Sequence, residues 1–246
     1  MKIAFTKSIT TATIICSSIL AQAQVTQSKY AFGINAGTLI YQGDLTPSAI
    51  GSFKTPGLVI GLNASRYLSN KFSLRLDLNF GKLKGADSAY KDPAWRQQRN
   101  LAFKAPVTEI IGSIVWDAFG RERKFSPYVF AGLGYSFLKI KRDYSNFNEE
   151  YFANEPNTIE GLETDINHRL PGGLPMVPLG IGLRYRLTNT LSLNTETSYR
   201  YISSDYLDGF SHAANADAKD HYYKFSIGLS YSKNNNGKGG LDCPKF

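Results

Sequence analysis

Residues 72–81 read Phe-Ser-Leu-Arg-Leu-Asp-Leu-Asn-Phe-Gly, an alternation of large apolar side chains with polar or small ones. Successive side chains on a strand point to opposite faces, so the alternation predicts a β-strand with one apolar and one charged face. Its length matches the roughly 9–11 residues that a tilted strand needs to cross a bilayer. Similar segments recur along the chain, giving eight predicted strands over residues 30–41, 57–68, 72–84, 101–116, 125–140, 176–187, 191–202 and 222–232. The fourth is the least regular. Its apolar positions change phase near residues 106–109, which predicts a β-bulge or an edge-like kink there.

The links between these segments alternate too. Residues 69–71, 120–124 and 188–190 are short links, whereas 42–56, 85–100, 141–175 and 203–221 are long. Short turns at one end and long loops at the other are the layout of an outer-membrane barrel, with the turns periplasmic. The predicted fold class is therefore all-β: an eight-stranded antiparallel up-and-down transmembrane β-barrel with long extracellular loops, periplasmic termini and a flexible periplasmic C-terminal tail.

A soluble lipocalin-like barrel would show the same alternation with its apolar set inside. Three features favour the membrane. The polar set is rich in glycine and carries both signs of charge, which suits a tight, hydrogen-bonded interior. Aromatic residues gather at strand ends, with Tyr67, Phe72, Trp116, Phe119 and Phe125 at one rim. Tyr41, Phe80, Phe137, Tyr199, Tyr201 and Tyr223 are expected at the other, as in interfacial girdles. The loop asymmetry has no reason to exist in a soluble barrel.

The first residues read as a secretory signal peptide, with Lys2 and Lys7, an apolar stretch over 9–20 and the small-x-small site Ala21-Gln22-Ala23. The expected domains are the signal peptide (1–23), the barrel (24–232) and a periplasmic tail (233–246). Thr13-Ile14-Ile15 before Cys16 lacks the small residues of a lipidation site, so cleavage after Ala23 is the better reading. No later stretch is apolar enough for a transmembrane helix. The formal charge of +8 is scattered with no basic arm, so no nucleic-acid partner is expected. Cleavage would leave Cys243 without a partner in its own chain. An unpaired cysteine in an oxidising compartment predicts an intermolecular bond or a reactive thiol.

The inward-facing charges are Arg75, Asp77, Glu109, Arg184, Arg186, Glu196, Arg200 and Lys224. Eight strands leave an interior just wide enough for side chains, and charges away from water must be paired. A neutralised ion-pair core is therefore expected rather than a pore or a catalytic cluster. His168, His212 and His221 fall in or beside long loops and read as surface residues, although Ser211 and Asp220 adjoin the last two. A triad is recognised by geometry and not by adjacency, so no catalytic residue is assigned. Residues 143–165 hold Asp143, Glu149, Glu150, Glu155, Glu160, Glu163 and Asp165 without Lys or Arg. Their spacing matches no cation-loop motif, so a solvated acidic lid is expected, with no metal and no cofactor.

Several segments resemble a family of outer-membrane barrels from Bacteroidetes that includes the PorG-like component of the type IX secretion system. They are Tyr41-Gln42-Gly43-Asp44-Leu45, Arg99-Asn100-Leu101-Ala102-Phe103, Ser126-Pro127-Tyr128-Val129-Phe130-Ala131-Gly132, Ser204-Asp205-Tyr206-Leu207-Asp208-Gly209 and the ending Asp242-Cys243-Pro244-Lys245-Phe246. The resemblance implies a non-enzymatic barrel that sits in outer-membrane lipid, organises secretion machinery and contacts a periplasmic ring containing a lipoprotein. On that reading Cys243 forms a disulfide with a periplasmic partner, assisted by Pro244, Lys245 and Phe246. The alternatives are a stand-alone surface barrel whose loops bind a ligand or another cell, and a lipid-modifying enzyme.

Overall fold

The computed structural model describes residues 28–48, 51–214 and 219–232. The expected signal peptide (1–23) and the expected tail (233–246), with Cys243, Pro244, Lys245 and Phe246, lie outside the described residues. The strands are β1 (Tyr30–Gln42), β2 (Gly57–Tyr67), β3 (Phe72–Ala86), β4 (Ala102–Asp117), β5 (Phe125–Leu138), the short β6 (Lys141–Asp143), β7 (Gly173–Arg186), β8 (Leu191–Ile202) and β9 (His221–Tyr231). Two helices, α1 (Trp95–Arg99) and α2 (Pro156–Asn167), lie in the long links.

Apart from β6, which pairs with the upper end of β4, the strands form a closed antiparallel barrel of eight. Closure comes from β9 pairing with β1, with Phe32 opposite Tyr231 and Gln42 opposite His221. A closed sheet has no free edge, so ladder N–H and C=O groups are satisfied without water. The β5–β7 ladder is interrupted between the pairs Ala131–Leu179 and Gly134–Met176, and the register continues across the gap. Pro178, which has no N–H to give, lies in that gap.

The bulge expected near residues 106–109 is absent. β3 and β4 pair without a break from Phe72–Trp116 to Ala86–Ala102. What changes there is polarity, not phase. On β3 the outward residues Phe72, Leu74, Leu76, Leu78 and Phe80 are followed by Lys82 and Lys84, while inward Ser73, Asp77 and Asn79 give way to Leu83. On β4 the inward set keeps one parity throughout, from Asp117, Ser113 and Glu109 up to Val107, Ala105 and Phe103. β3 and β4 are 15 and 16 residues long, more than a bilayer needs. Their surplus stands above the apolar belt, where the favourable place for apolar side chains is inside.

The lower storey is thus apolar outside and mostly polar inside, with Ile111, Val115 and Phe130 set among the charges, and the upper storey is charged outside and apolar inside. Buried Leu39, Leu83, Phe103, Val107, Met176 and Ile202 belong to the upper core. Two girdle assignments change accordingly. Tyr41 turns inward and is 1% exposed, and Tyr67 turns into the lower mouth with the Arg121 guanidinium 4.0 Å from its ring centre. Exposed Phe80, Phe137, Phe72, Phe125 and Trp116 do face outward. The lumen-facing glycines of β7 serve packing: Gly182 stands opposite Tyr128 and Gly180 opposite Phe130. A Cβ on either would collide with the facing ring, so the glycines let those two rings fill the lumen.

Leu76, 57% exposed at the middle of the belt, gives a direct test. Arginine on a lipid face at mid-depth costs roughly 2–4 kcal/mol. Leu76→Arg should fail to fold into lipid vesicles, read as loss of the compact band that shifts on heating in gel electrophoresis. Lys84→Arg, one storey higher, should fold as wild type; equal folding of the two would contradict the belt.

Candidate functional site

The lumen holds seven of the eight predicted charges in connected knots. Arg75 reaches Glu196 at 2.5 Å and Asp77 at 2.9 Å, and the Tyr128 hydroxyl donates to Glu196 at 2.7 Å. The Arg75 guanidinium also lies 4.3 Å from the Phe130 ring centre. One rung higher, Glu109 accepts from the Tyr222 hydroxyl at 2.6 Å and from the Asn79 amide at 2.8 Å, and pairs with Arg200 at 3.5 Å. Lys224 donates to Asn79 Oδ1 at 2.7 Å, and Arg200 is also held by the Ser198 hydroxyl. Arg184 pairs with Asp117 at 2.5 Å near the turn end. Arg186 is the exception: it donates to the Glu122 carbonyl at the barrel mouth.

Asp117, Tyr128 and Tyr222 were not among the lumen groups expected from sequence, and Asn79 was placed on the polar face of its strand without a role in the charge network. Strict parity could have found the first three: Asp117 shares the odd register of Glu109 on β4, Tyr222 the even register of Lys224 on β9, and Tyr128 that of buried Ser126 on β5. Beside the Arg75 knot lies a cavity of about 30 Å³ bordered by Asn63, Ser65, Asn194 and Ser230. That is room for about one or two waters and not for a solute.

Above the knots the long loops fold inward and seal the barrel. Leu45, Leu101, Leu207 and Phe210, contributed by three different loops, are fully buried in the upper core. Asp87 clasps Arg96 at 2.9 Å and Arg99 at 2.7 Å. Both arginines continue to the Asp44 carbonyl at 3.1 and 3.2 Å, and Arg99 reaches the Ala213 carbonyl at 3.4 Å. The spacing of Arg96 and Arg99 on α1 sets both on one side of that short helix. The third long loop is tied on through Arg142, which donates to the carbonyls of Asp165, Ile166, His168 and Gly209.

The acidic lid is solvated except at its end. Glu149, Glu150, Glu155, Glu160 and Glu163 are exposed, but Asp165 is buried. Its carboxylate accepts from the backbone N–H groups of Ser211, His212 and Ala213 at 3.0, 3.2 and 2.9 Å, so it is a structural clamp. The histidine side chains are not assembled with those acids. His168 stacks on Tyr206 at 4.0 Å, His212 is exposed, and His221 accepts from the Ile202 N–H at 3.3 Å. Ser211 and Asp220 are not hydrogen-bonded to the histidines beside them. Among the described residues no group of three or more His, Cys, Asp or Glu is arranged to hold a metal ion.

The Tyr41 hydroxyl meets two buried carboxyls, Asp208 at 2.7 Å and Asp220 at 2.6 Å. A phenol has one proton to donate, so the second contact requires a proton on a carboxyl. Burial first, and neighbouring aspartates after it, hold Asp208 and Asp220 well above the usual carboxylate range. Asp205 is lifted to about 6 by burial, with Asp44 and Asp165 adding to it against a lowering contact from Ser211. The closed lid therefore binds protons that an opened loop would release. Its stability is greatest below the ordinary carboxylate range near 4 and falls as pH rises through the raised values. Hydrogen exchange over residues 203–214, corrected for intrinsic rates, should show opening increasing about tenfold or more from mildly acidic to mildly alkaline pH. Asp208→Asn should flatten that response; protection that rises with pH would contradict the shared proton.

Comparison with solved structures finds the same kind of barrel at low identity. Neisserial surface protein A is 17% identical with a TM-score of 0.48, covering 84% of this chain and 98% of its own. The attachment invasion locus protein Ail of Yersinia pestis, in complex with the heparin analogue sucrose octasulfate, is 9% identical with a TM-score of 0.46, covering 83% and 98%. The N-terminal β-barrel domain of Pseudomonas aeruginosa OprF is 13% identical with a TM-score of 0.43, covering 84% and 100%. No curated protein matches the chain in sequence. A family model does match, over residues 6–234: the chain belongs to the family described as a domain of unknown function, DUF6089.

Proposed function

We propose that the chain is a sealed, non-enzymatic barrel of a Gram-negative outer membrane that serves as a structural or accessory component of protein secretion. In this reading it sits in the membrane with its loops outside and its termini in the periplasm. It docks a periplasmic lipoprotein ring of the type IX kind through its periplasmic face and the tail bearing Cys243, Pro244, Lys245 and Phe246. The apolar belt supports residence in a bilayer, and the residue resemblances set out above support the secretion role.

The observation that carries the reading is the filled lumen. The Arg75–Glu196 and Glu109–Arg200 knots block the middle, and a core of apolar side chains tied down by Asp87 and Asp165 blocks the top. A barrel built this way has no route for solute, so its contribution lies in what it holds and not in what it passes. Secretion of cargo should fall in a strain lacking the protein and recover with the wild-type chain. Purified protein in a planar bilayer should give no large, stable conductance. A steady open channel would overturn the sealed barrel, and unimpaired secretion in the deletion strain would overturn the accessory role.

A further inference from the structure

The charges knotted in the lumen are held by salt bridges or hydrogen bonds, whereas one group of charges on the outside makes no salt bridge among the described residues. Lys82 and Lys84 on β3, Lys104 on β4, Lys139 after β5 and Lys141 on β6 are all exposed. Lys84 stands directly opposite Lys104, and Lys104 directly opposite Lys141. Lys82 is opposite Pro106, and the Lys139 N–H bonds to the Pro106 carbonyl, which sets these two lysines one rung below on either side. None of the five is paired with a carboxylate among the described residues. The acid on this stripe, Asp143, faces Ala102 and is engaged first by the Ser145 hydroxyl at 2.7 Å and N–H at 3.2 Å, with Lys104 adding a weaker attraction that leaves the other four lysines uncompensated.

Like charges directly opposite across strands are destabilising, so the ladder is unfavourable unless something outside supplies negative charge. Its height says what that is. The lysines begin where the apolar belt ends, next above exposed Phe80 and Phe137. Side chains at that level reach the headgroup layer, and lysine stems lie along apolar surface while the ammonium seeks the polar boundary. The ladder is also one-sided: at this end of the barrel β8 and β9 present Tyr199, Tyr201 and Tyr223.

We propose that the outward face of β3, β4 and β6, with Lys82, Lys84, Lys104, Lys139 and Lys141, is a docking surface for the phosphate groups of anionic lipids in the leaflet at the loop end. This inference rests on the barrel spanning an outer membrane with its long loops outside. Lysine ammonium groups act as point charges toward phosphate, and a row of them on one flank gathers such lipids on that flank. The bound lipids offset the repulsion within the ladder and fix the rotational setting of the barrel toward its neighbours.

The test uses the full chain in phosphatidylcholine nanodiscs doped with lipid A, with retained lipid read by native mass spectrometry. Wild type should retain lipid A over phosphatidylcholine about fivefold or more, the factor one lysine supplies at an anionic surface. The variant with all five lysines changed to Gln should lose that preference, and a second variant with all five changed to Arg should keep it. If the Gln variant does not fold, Lys104→Gln alone, removing the centre of the ladder, should reduce the preference measurably. Equal retention by wild type and the folded Gln variant would overturn the proposal. Displacement of lipid A by millimolar inorganic phosphate would also overturn it, pointing to a free-anion site. Failure of wild type to enter nanodiscs as a folded barrel would instead strike the membrane reading beneath it.

Discussion

A sheet of eight strands closed on itself leaves an interior that side chains fill and water scarcely enters. Within a bilayer the exterior must be apolar, so alternation along each strand sends the polar residues into that narrow interior. Polar groups there have no solvent to fall back on and must satisfy one another. The Arg75–Glu196–Tyr128 and Glu109–Tyr222–Asn79–Lys224 knots are the solution this sequence adopts. Removing one member of such a buried pair typically costs about 3–5 kcal/mol because its partner stays buried and unpaired. The same constraint explains why aromatic residues face glycines across β5 and β7: ring volume and missing side chains are matched so that the lumen closes.

Strands longer than the membrane is thick create a second problem, and the inversion of polarity answers it. Above Phe80 the outside of β3 and β4 leaves the apolar belt and becomes charged, while the inside becomes an ordinary apolar core. Loops that would otherwise wave in solvent supply Leu45, Leu101, Leu207 and Phe210 to that core. The clasp at Asp87 and the clamp at Asp165 then satisfy backbone groups that burial would leave unpaired. The lid is thus part of the fold, and the proton shared around Tyr41, Asp208 and Asp220 makes its hold depend on pH.

Strand number, order and facing were legible because alternation is a local signal repeated along the chain. Residues such as Leu76 and Arg75 announced their faces by parity alone. The fourth strand was misread for the same reason: Val107, Ala105 and Phe103 keep the inward parity of Glu109 but reverse its polarity, and a pattern read only by hydrophobicity takes that for a slip of register. Tyr41 was placed on the aromatic rim because its type, and not its parity, decided the assignment. The lid contacts were not legible at all. Asp165 with the N–H groups of Ser211 and Ala213, or Arg99 with the Ala213 carbonyl, join residues far apart in sequence through backbone atoms that every residue carries.

The two-storey arrangement can be read directly from a nitroxide scan along β3, residues 72–86, in lipid nanodiscs. Accessibility to oxygen, which partitions into lipid, should be high at outward positions from Phe72 to Phe80, and accessibility to a water-soluble nickel chelate should replace it at Lys82 and Lys84. Inward positions, from Ser73 through Asp77 and Asn79 to Leu83, should be poorly accessible to both. Nickel access at Asp77 and Asn79 would mean an open aqueous lumen, and oxygen access persisting through Lys84 would mean that the belt does not end at Phe80; either result would contradict the account.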